Sequence, residues 1–166
     1  FVFRYLLNRI IAAEECDATE DDSSNAADNI KNQIAMPILA PFNLKKWIDE
    51  NRDLLKPPVG NQCVYKNAEN FIVMVVGGPN SRKDYHYNES EELYYQVEGN
   101  IVLKIIDNGV AKDIAINEGD IFLLFPKTPH SPQLGPNTVG LVIEEVRERE
   151  EDGFLWYCEN CGNKLY

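Results

Sequence analysis

Asp84-Tyr85-His86-Tyr87-Asn88-Glu89-Ser90-Glu91-Glu92-Leu93-Tyr94-Tyr95-Gln96-Val97-Glu98-Gly99 holds one of only two histidines in this chain. Polar Asn88, Glu89 and Ser90 read as a turn, after which Leu93 to Val97 has the make-up of a half-buried strand. Side chains on a strand alternate between faces. If Glu92 points inward, Tyr94 and Gln96 share its face, while Leu93, Tyr95 and Val97 pack on the other. Glu91 competes with Glu92 for the inward role on proximity alone, and alternation leaves that choice open.

The other histidine closes a second frame, Gly119-Asp120-Ile121-Phe122-Leu123-Leu124-Phe125-Pro126-Lys127-Thr128-Pro129-His130-Ser131-Pro132-Gln133. Pro126 and Pro129 predict a stiff loop that holds the His130 ring. Imidazole is the commonest metal ligand. Two neutral imidazoles and one carboxylate on one face of an ion leave the opposite positions open, as in non-haem Fe(II) oxygenases. Mn, Co, Ni and Zn also suit such donors. A lone histidine is more often an ordinary core or surface residue. Two in matching strand–turn frames, with a carboxylate at a workable offset, reverse that reading.

Outward from these frames, short strands are expected over Gln62 to Lys66, Phe71 to Val76, Ile101 to Ile106, Val110 to Ile116, Ile121 to Phe125 and Val139 to Val146. Asp107-Asn108-Gly109 predicts a hairpin, because Asn-Gly supplies the positive φ angles of such turns. Gly77-Gly78-Pro79-Asn80 and Glu118-Gly119-Asp120 are further breaks. Many short strands with regular turns predict a β-sandwich or barrel, mainly all-β. One short helix precedes them: Asn43 can cap it, Leu44, Trp47, Ile48, Leu54 and Leu55 recur near helical spacing, and Pro57-Pro58 ends it.

Composition narrows the function. The chain has 166 residues, is 44% hydrophobic and carries a formal net charge of -11. That size suits one globular domain, expected over 37–166. The acidic balance argues against a nucleic-acid partner, whose affinity rests on Lys and Arg. No apolar run reaches the length of a membrane span. Four cysteines do not make a disulfide scaffold at this size, so a reducing, cytoplasmic setting is the simpler expectation. Residues 1–36 read as an N-terminal extension, either flexible or a gene-model artefact. Phe1 to Ala13 faintly resembles a targeting segment. Glu14 to Asn29 is polar, acidic and poor in large apolar residues, as a tail or linker is.

The two frames resemble the cupin superfamily. Its first motif sets a glutamate and a glycine as Glu92 and Gly99 stand here, and its second orders a glycine, a proline and a histidine as Gly119, Pro126 and His130 do. Asn88 stands where many cupins carry a further histidine, and the proline-to-histidine gap is one residue short. Pro57-Pro58-Val59-Gly60-Asn61, Val76-Gly77-Gly78-Pro79-Asn80, Asp84-Tyr85-His86, Glu91-Glu92, Tyr95-Gln96 and His130-Ser131-Pro132-Gln133 give a narrower match. They are similar to the 3-hydroxyanthranilate 3,4-dioxygenase family, over about Pro41 to Cys161. The resemblance implies a cupin jelly roll (a double-stranded β-helix) with Fe(2+) held by His86, Glu92 and His130, and so favours Glu92 over Glu91. It also implies ring opening of 3-hydroxyanthranilate by O2 and, often, a homodimer. Arg82 would pair the substrate carboxylate, Glu144 would act beside the substrate's metal-binding edge, and Asn61 would be a polar pocket residue. Without the family, Arg82 and Asn61 could be turn residues and Glu144 surface charge.

Two departures carry weight. Leu134 stands where the family has a second substrate-binding arginine. Losing one partner of a buried charge pair costs roughly 2–5 kcal/mol. Three readings follow: a weakened enzyme, an enzyme for another substrate, or a metal-binding cupin without this turnover. The second departure is Cys158-Glu159-Asn160-Cys161, half of a thiolate knuckle of the kind that bacterial and some fungal members use to bind a second metal. Only one pair occurs before Tyr166, which predicts a truncated or vestigial pair. Cys16 and Cys63 lack the spacing to complete it.

Overall fold

The computed structural model describes residues 39–58, 60–146 and 152–166. The expected extension over 1–36, Cys16 included, lies outside the described residues. Every element below belongs to the unit Phe42–Tyr166.

Asn43 does cap α1 (Leu44–Glu50): its side-chain oxygen accepts the Lys46 N–H at 2.9 Å. The helix is shorter than expected. Its backbone ends at Asn51, whose side-chain amide donates to the Trp47 carbonyl at 2.7 Å and competes with helical continuation. A 3-10 turn over Arg52–Leu55 follows, burying Leu55 and leaving Leu54 half exposed.

Eleven strands follow among the described residues: β1 (Asn61–Cys63), β2 (Phe71–Gly77), β3 (Asn80–Ser81), β4 (Tyr85–Tyr87), β5 (Glu92–Glu98), β6 (Ile101–Asp107), β7 (Val110–Ile116), β8 (Ile121–Leu124), β9 (His130–Leu134), β10 (Val139–Glu145) and β11 (Gly153–Leu155). One antiparallel sheet runs β1-β2-β10-β5-β8. The other runs β11-β4-β9-β6-β7, with β3 added to β9. The Asn108-Gly109 turn has φ of 50° and 79°, the mirror-image geometry that its sequence predicts for the β6–β7 hairpin.

Four strands escape the sequence pattern, and two of them carry the histidines. β4 is too short to show alternation, and β9 contains Pro132, which ordinarily demotes a segment from strand. Their pairing is supplied from outside: β9 lies along β6, with His130 opposite Ile105, and β4 joins it with His86 opposite His130. The expected stiff loop thus ends at Pro129, and His130 is the first residue of a strand.

A core of Tyr94, Leu103, Ile116, Leu124 and Val142, among others, draws on strands of both sheets. A second cluster holds Ile48 and Leu55 with Val75 and Val139, covering the outside of the first sheet. Strand β2 therefore has apolar partners on both faces, which explains its unbroken Phe-Ile-Val-Met-Val-Val run.

Gly77 sits where β2 passes under the 3-10 turn. A Cβ there would overlap the Leu55 backbone carbonyl and lie 2.7 Å from the Leu55 Cβ. Gly77→Ala should cost roughly 1–3 kcal/mol, the usual range for overpacking. Urea unfolding would show this as a lower midpoint at unchanged slope; an unshifted midpoint would mean that the turn yields freely.

Candidate metal centre

Register builds this site. Antiparallel pairing of β4 with β9 sets His86 opposite His130, and their rings meet edge to face with centroids 5.1 Å apart. The His86 Nδ1 lies 3.3 Å from the His130 Nε2. Glu92 opens β5 in the other sheet, and its Oε1 lies 3.5 Å from the first nitrogen and 3.3 Å from the second. One ligand atom from each of the three residues falls within 4.8 Å of the others, the only such group among the described residues. Glu91 is exposed and takes no part, whereas Glu92 is 3% exposed. Tyr94 and Gln96 are buried with Glu92, and Tyr95 is exposed, as alternation predicts.

The Glu92 carboxylate is held from several sides. Asn88 donates to Oε1 at 2.5 Å, and the Tyr94 hydroxyl donates to Oε2 at 2.6 Å. Burial pushes the Glu92 pKa up, but His130, His86 and Tyr94 outweigh it and hold the carboxyl well below the usual carboxylate range. The same charge helps burial push the Tyr94 hydroxyl upward, so it stays a donor. Burial also opposes a charge on His86, yet Glu92 and Asp152 prevail and raise its pKa.

A metal ion suits this arrangement. Two imidazole nitrogens and a carboxylate oxygen are the mixed donors that first-row divalent metals accept. Glu144, 7% exposed on β10, stands opposite Glu92 in register. Like charges opposed across strands repel, so a cation here relieves the pair.

The three residues line a cavity of about 260 Å³ that the remaining expected residues share. Glu144 lies in its wall, Asn61 reaches it from exposed β1, and Arg82 from the segment before β4. The Arg82 guanidinium pairs with Asp84 and lies 5.7 Å from the Phe154 ring centroid. That pairing, ahead of other influences, lowers the Asp84 pKa. Leu134 is 7% exposed in the apolar wall with Met74, Val76, Ile101 and Val142. Phe154 and Asp152 escape the sequence reading altogether. Strand β11 lies against β4 with Phe154 opposite His86, which brings the Phe154 ring within 5.7 Å of the imidazole. Asp152 Oδ2 stands 3.1 Å from the His86 Nε2. No local motif marks either residue, because only β11 pairing brings them here.

Cys158 and Cys161 are free thiols, and the Cys158 pKa is lowered chiefly by the Cys161 and Asn160 backbone N–H groups. Among the described residues no further Cys, His or carboxylate joins them in a group of three.

Two facing antiparallel sheets with a His-Glu-His cluster on a shared cavity define a cupin with a candidate mononuclear metal site. In agreement, a solved structure of the protein NMB1881 from Neisseria meningitidis superposes with a TM-score of 0.50 at 19% identity, covering 65% of this chain and 100% of its own. Residues 36–166 match the model of the 3-hydroxyanthranilic acid dioxygenase family. A 3-hydroxyanthranilate 3,4-dioxygenase of Xanthomonas oryzae pv. oryzae is 55% identical over 130 residues, which are 78% of this chain and 73% of that protein. The Candida albicans protein of that name is 51% identical over 127 residues, 76% and 73% of the two chains. The chain belongs to the 3-hydroxyanthranilic acid dioxygenase family, a family of oxidoreductases.

Removing a ligand and loosening a ligand should differ. His86→Ala is expected to abolish stoichiometric Fe(II) or Co(II) binding in anaerobic titration. Asn88→Ala should retain one equivalent but weaken it about 10–100-fold, the usual effect of losing a partner behind a ligand. Equal affinities in all three proteins would rule this cluster out as the metal site.

Proposed function

We propose that this chain is a non-haem Fe(II) dioxygenase that opens the ring of 3-hydroxyanthranilate with O2. The convergence of three ligand atoms within 4.8 Å, beside a cavity that also admits Arg82, carries the reading. The product would be 2-amino-3-carboxymuconate semialdehyde, which cyclises to quinolinate on the kynurenine route to NAD. We take 37–166 as the catalytic domain, with His86, Glu92 and His130 as the ligands.

Fe(II), when bound, supplies open coordination positions and a route for electrons to O2. The protein supplies position and dryness. Arginine's planar fork suits a carboxylate, so Arg82 orients the substrate by its acid group, in exchange for part of its pairing with Asp84. Glu144, buried beside Glu92, is the group proposed to manage the proton of the substrate's 3-hydroxyl. Asn61 offers a polar contact at the exposed end of the cavity. Met74, Val76, Ile101, Leu134 and Val142 keep water from the ring.

A cytoplasmic, reducing setting belongs to this reading, in keeping with free thiols at Cys63, Cys158 and Cys161. No helix among the described residues is long and apolar enough to cross a membrane. A homodimer is also part of the proposal: Tyr95, Ile121, Leu123 and Phe125 expose apolar surface on β5 and β8 and the residue after it.

Leu134 favours a second reading. Its buried side chain makes that wall apolar, so the substrate acid has a single arginine, or the preferred substrate lacks the acid. A metal-binding cupin without turnover is the limiting case.

O2 uptake and ring-opened product should appear with anaerobically Fe(II)-loaded protein and 3-hydroxyanthranilate, and vanish in His86→Ala. Stoichiometric iron without uptake would overturn the dioxygenase reading for this substrate. Leu134→Arg should lower the substrate KM or raise kcat by about tenfold or more, since a charge-assisted pair is regained. If o-aminophenols or catechols lacking the acid react faster than 3-hydroxyanthranilate, the apolar wall selects another substrate.

A further inference from the structure

Both histidines direct one ring nitrogen toward the shared centre and the other outward, yet they do so with opposite atoms. His130 turns Nε2 inward, and its Nδ1 lies 3.0 Å from the Thr128 carbonyl. A carbonyl only accepts, so Nδ1 carries the hydrogen and Nε2 presents a lone pair. His86 turns Nδ1 inward, and its Nε2 lies 3.1 Å from Asp152 Oδ2. Glu92 Oε1 stands 3.5 Å from Nδ1, so it is a cation at the centre, claiming the Nδ1 lone pair, that leaves the hydrogen on Nε2 for the Asp152 carboxylate to accept.

We propose that Asp152 is a positioning residue, whose carboxylate fixes the tautomer and orientation of His86 so that Nδ1 faces the metal. The inference rests on His86 being a metal ligand. A partner that accepts a ligand histidine's outer N–H orients the ring and raises its basicity. Thr128 reaches His130 from two residues away in the chain, so that support comes with the local loop. Asp152 has no such local tie. It is delivered by β11, whose Phe154 pairs with His86 in register and packs on its ring. The Phe154 ring also meets the Arg82 guanidinium, so one short strand braces a proposed ligand and a proposed substrate contact. The His86 side chain is 16% exposed and Asp152 38%, so the pair is neither open surface nor sealed core. Losing it should loosen the ring without emptying a core position.

Only two histidines occur in the chain, so long-range proton–nitrogen NMR of histidine-labelled protein gives two ring systems. The Zn(II)-loaded full chain should show one Nδ1–H and one Nε2–H ring, because a bound cation removes the competition of Glu92 for the His86 hydrogen. Asp152→Ala should turn the Nε2–H signal into a tautomer mixture and leave the Nδ1–H signal in place. Asp152→Asn, whose side-chain oxygen still accepts, should restore the Nε2–H form. Co(II) affinity of the full chain should fall about 10–100-fold in Asp152→Ala and recover partly in Asp152→Asn. An unchanged Nε2–H signal in Asp152→Ala, or unchanged Co(II) affinity beside a clear loss in His86→Ala, would overturn the positioning role. Should His86→Ala itself keep full Co(II) affinity, the ligand reading fails, and the positioning role falls with it.

Discussion

A carboxylate removed from water is the constraint around which this protein is arranged. Glu92 is 3% exposed, and a buried anion is tolerated only when it is paired and hydrogen-bonded. Asn88 and Tyr94 donate to it, and the inward nitrogens of His130 and His86 stand 3.3 and 3.5 Å away, where a shared cation would complete the pairing. Asn88 and Tyr94 arise from the same turn and strand as Glu92 itself, whereas the histidines come from the opposite sheet. The anion thus ties the two sheets at their polar end, and among the described residues every fully buried side-chain polar atom has a partner.

Alternation makes that tie compatible with a hydrophobic core. Along β5 the inward face reads Glu92, Tyr94, Gln96, so polar and aromatic groups share a row that joins the site to the core cluster. On β10 the same face ends in Glu144, opposite Glu92. The first sheet brings two acids, the second brings two imidazoles, and the space between becomes a cavity instead of packed core. Leu134 closes the far wall from β9, the strand that His130 begins. One strand therefore carries a proposed ligand at its start and an apolar residue of the cavity wall at its end.

The C-terminal strand adds a layer of control. Through Phe154 it packs on His86 and meets Arg82, and through Asp152 it reaches the outer nitrogen of the same imidazole. Changes in β11 are therefore felt at the ring and at the guanidinium together. Cys158 and Cys161 follow it immediately, and the bridge between Tyr157 and Lys164 folds that tail back on itself.

Much of this was legible in the residues. The Asn43 cap, the Asn108-Gly109 hairpin, the alternation of β5 and both histidine frames depend on neighbours close in the chain, so local rules read them. Glu92 and Glu91 could not be separated that way, because adjacent residues on a strand differ only by which face meets the core. Strands β4 and β9 were illegible for a related reason. Tyr-His-Tyr is too short to have a pattern, and Pro132 argues against the strand that β6 imposes by pairing. Asp152 lies beyond any local signal. The sequence by itself determined the strand-rich class and the residue types, two histidines and nearby carboxylates, from which a metal site could be built. Only the tertiary structure decided which carboxylate turns inward, which nitrogen of each ring faces the centre and which distant acid stands behind His86. Those choices depend on register between strands far apart in the chain, and no local preference encodes register.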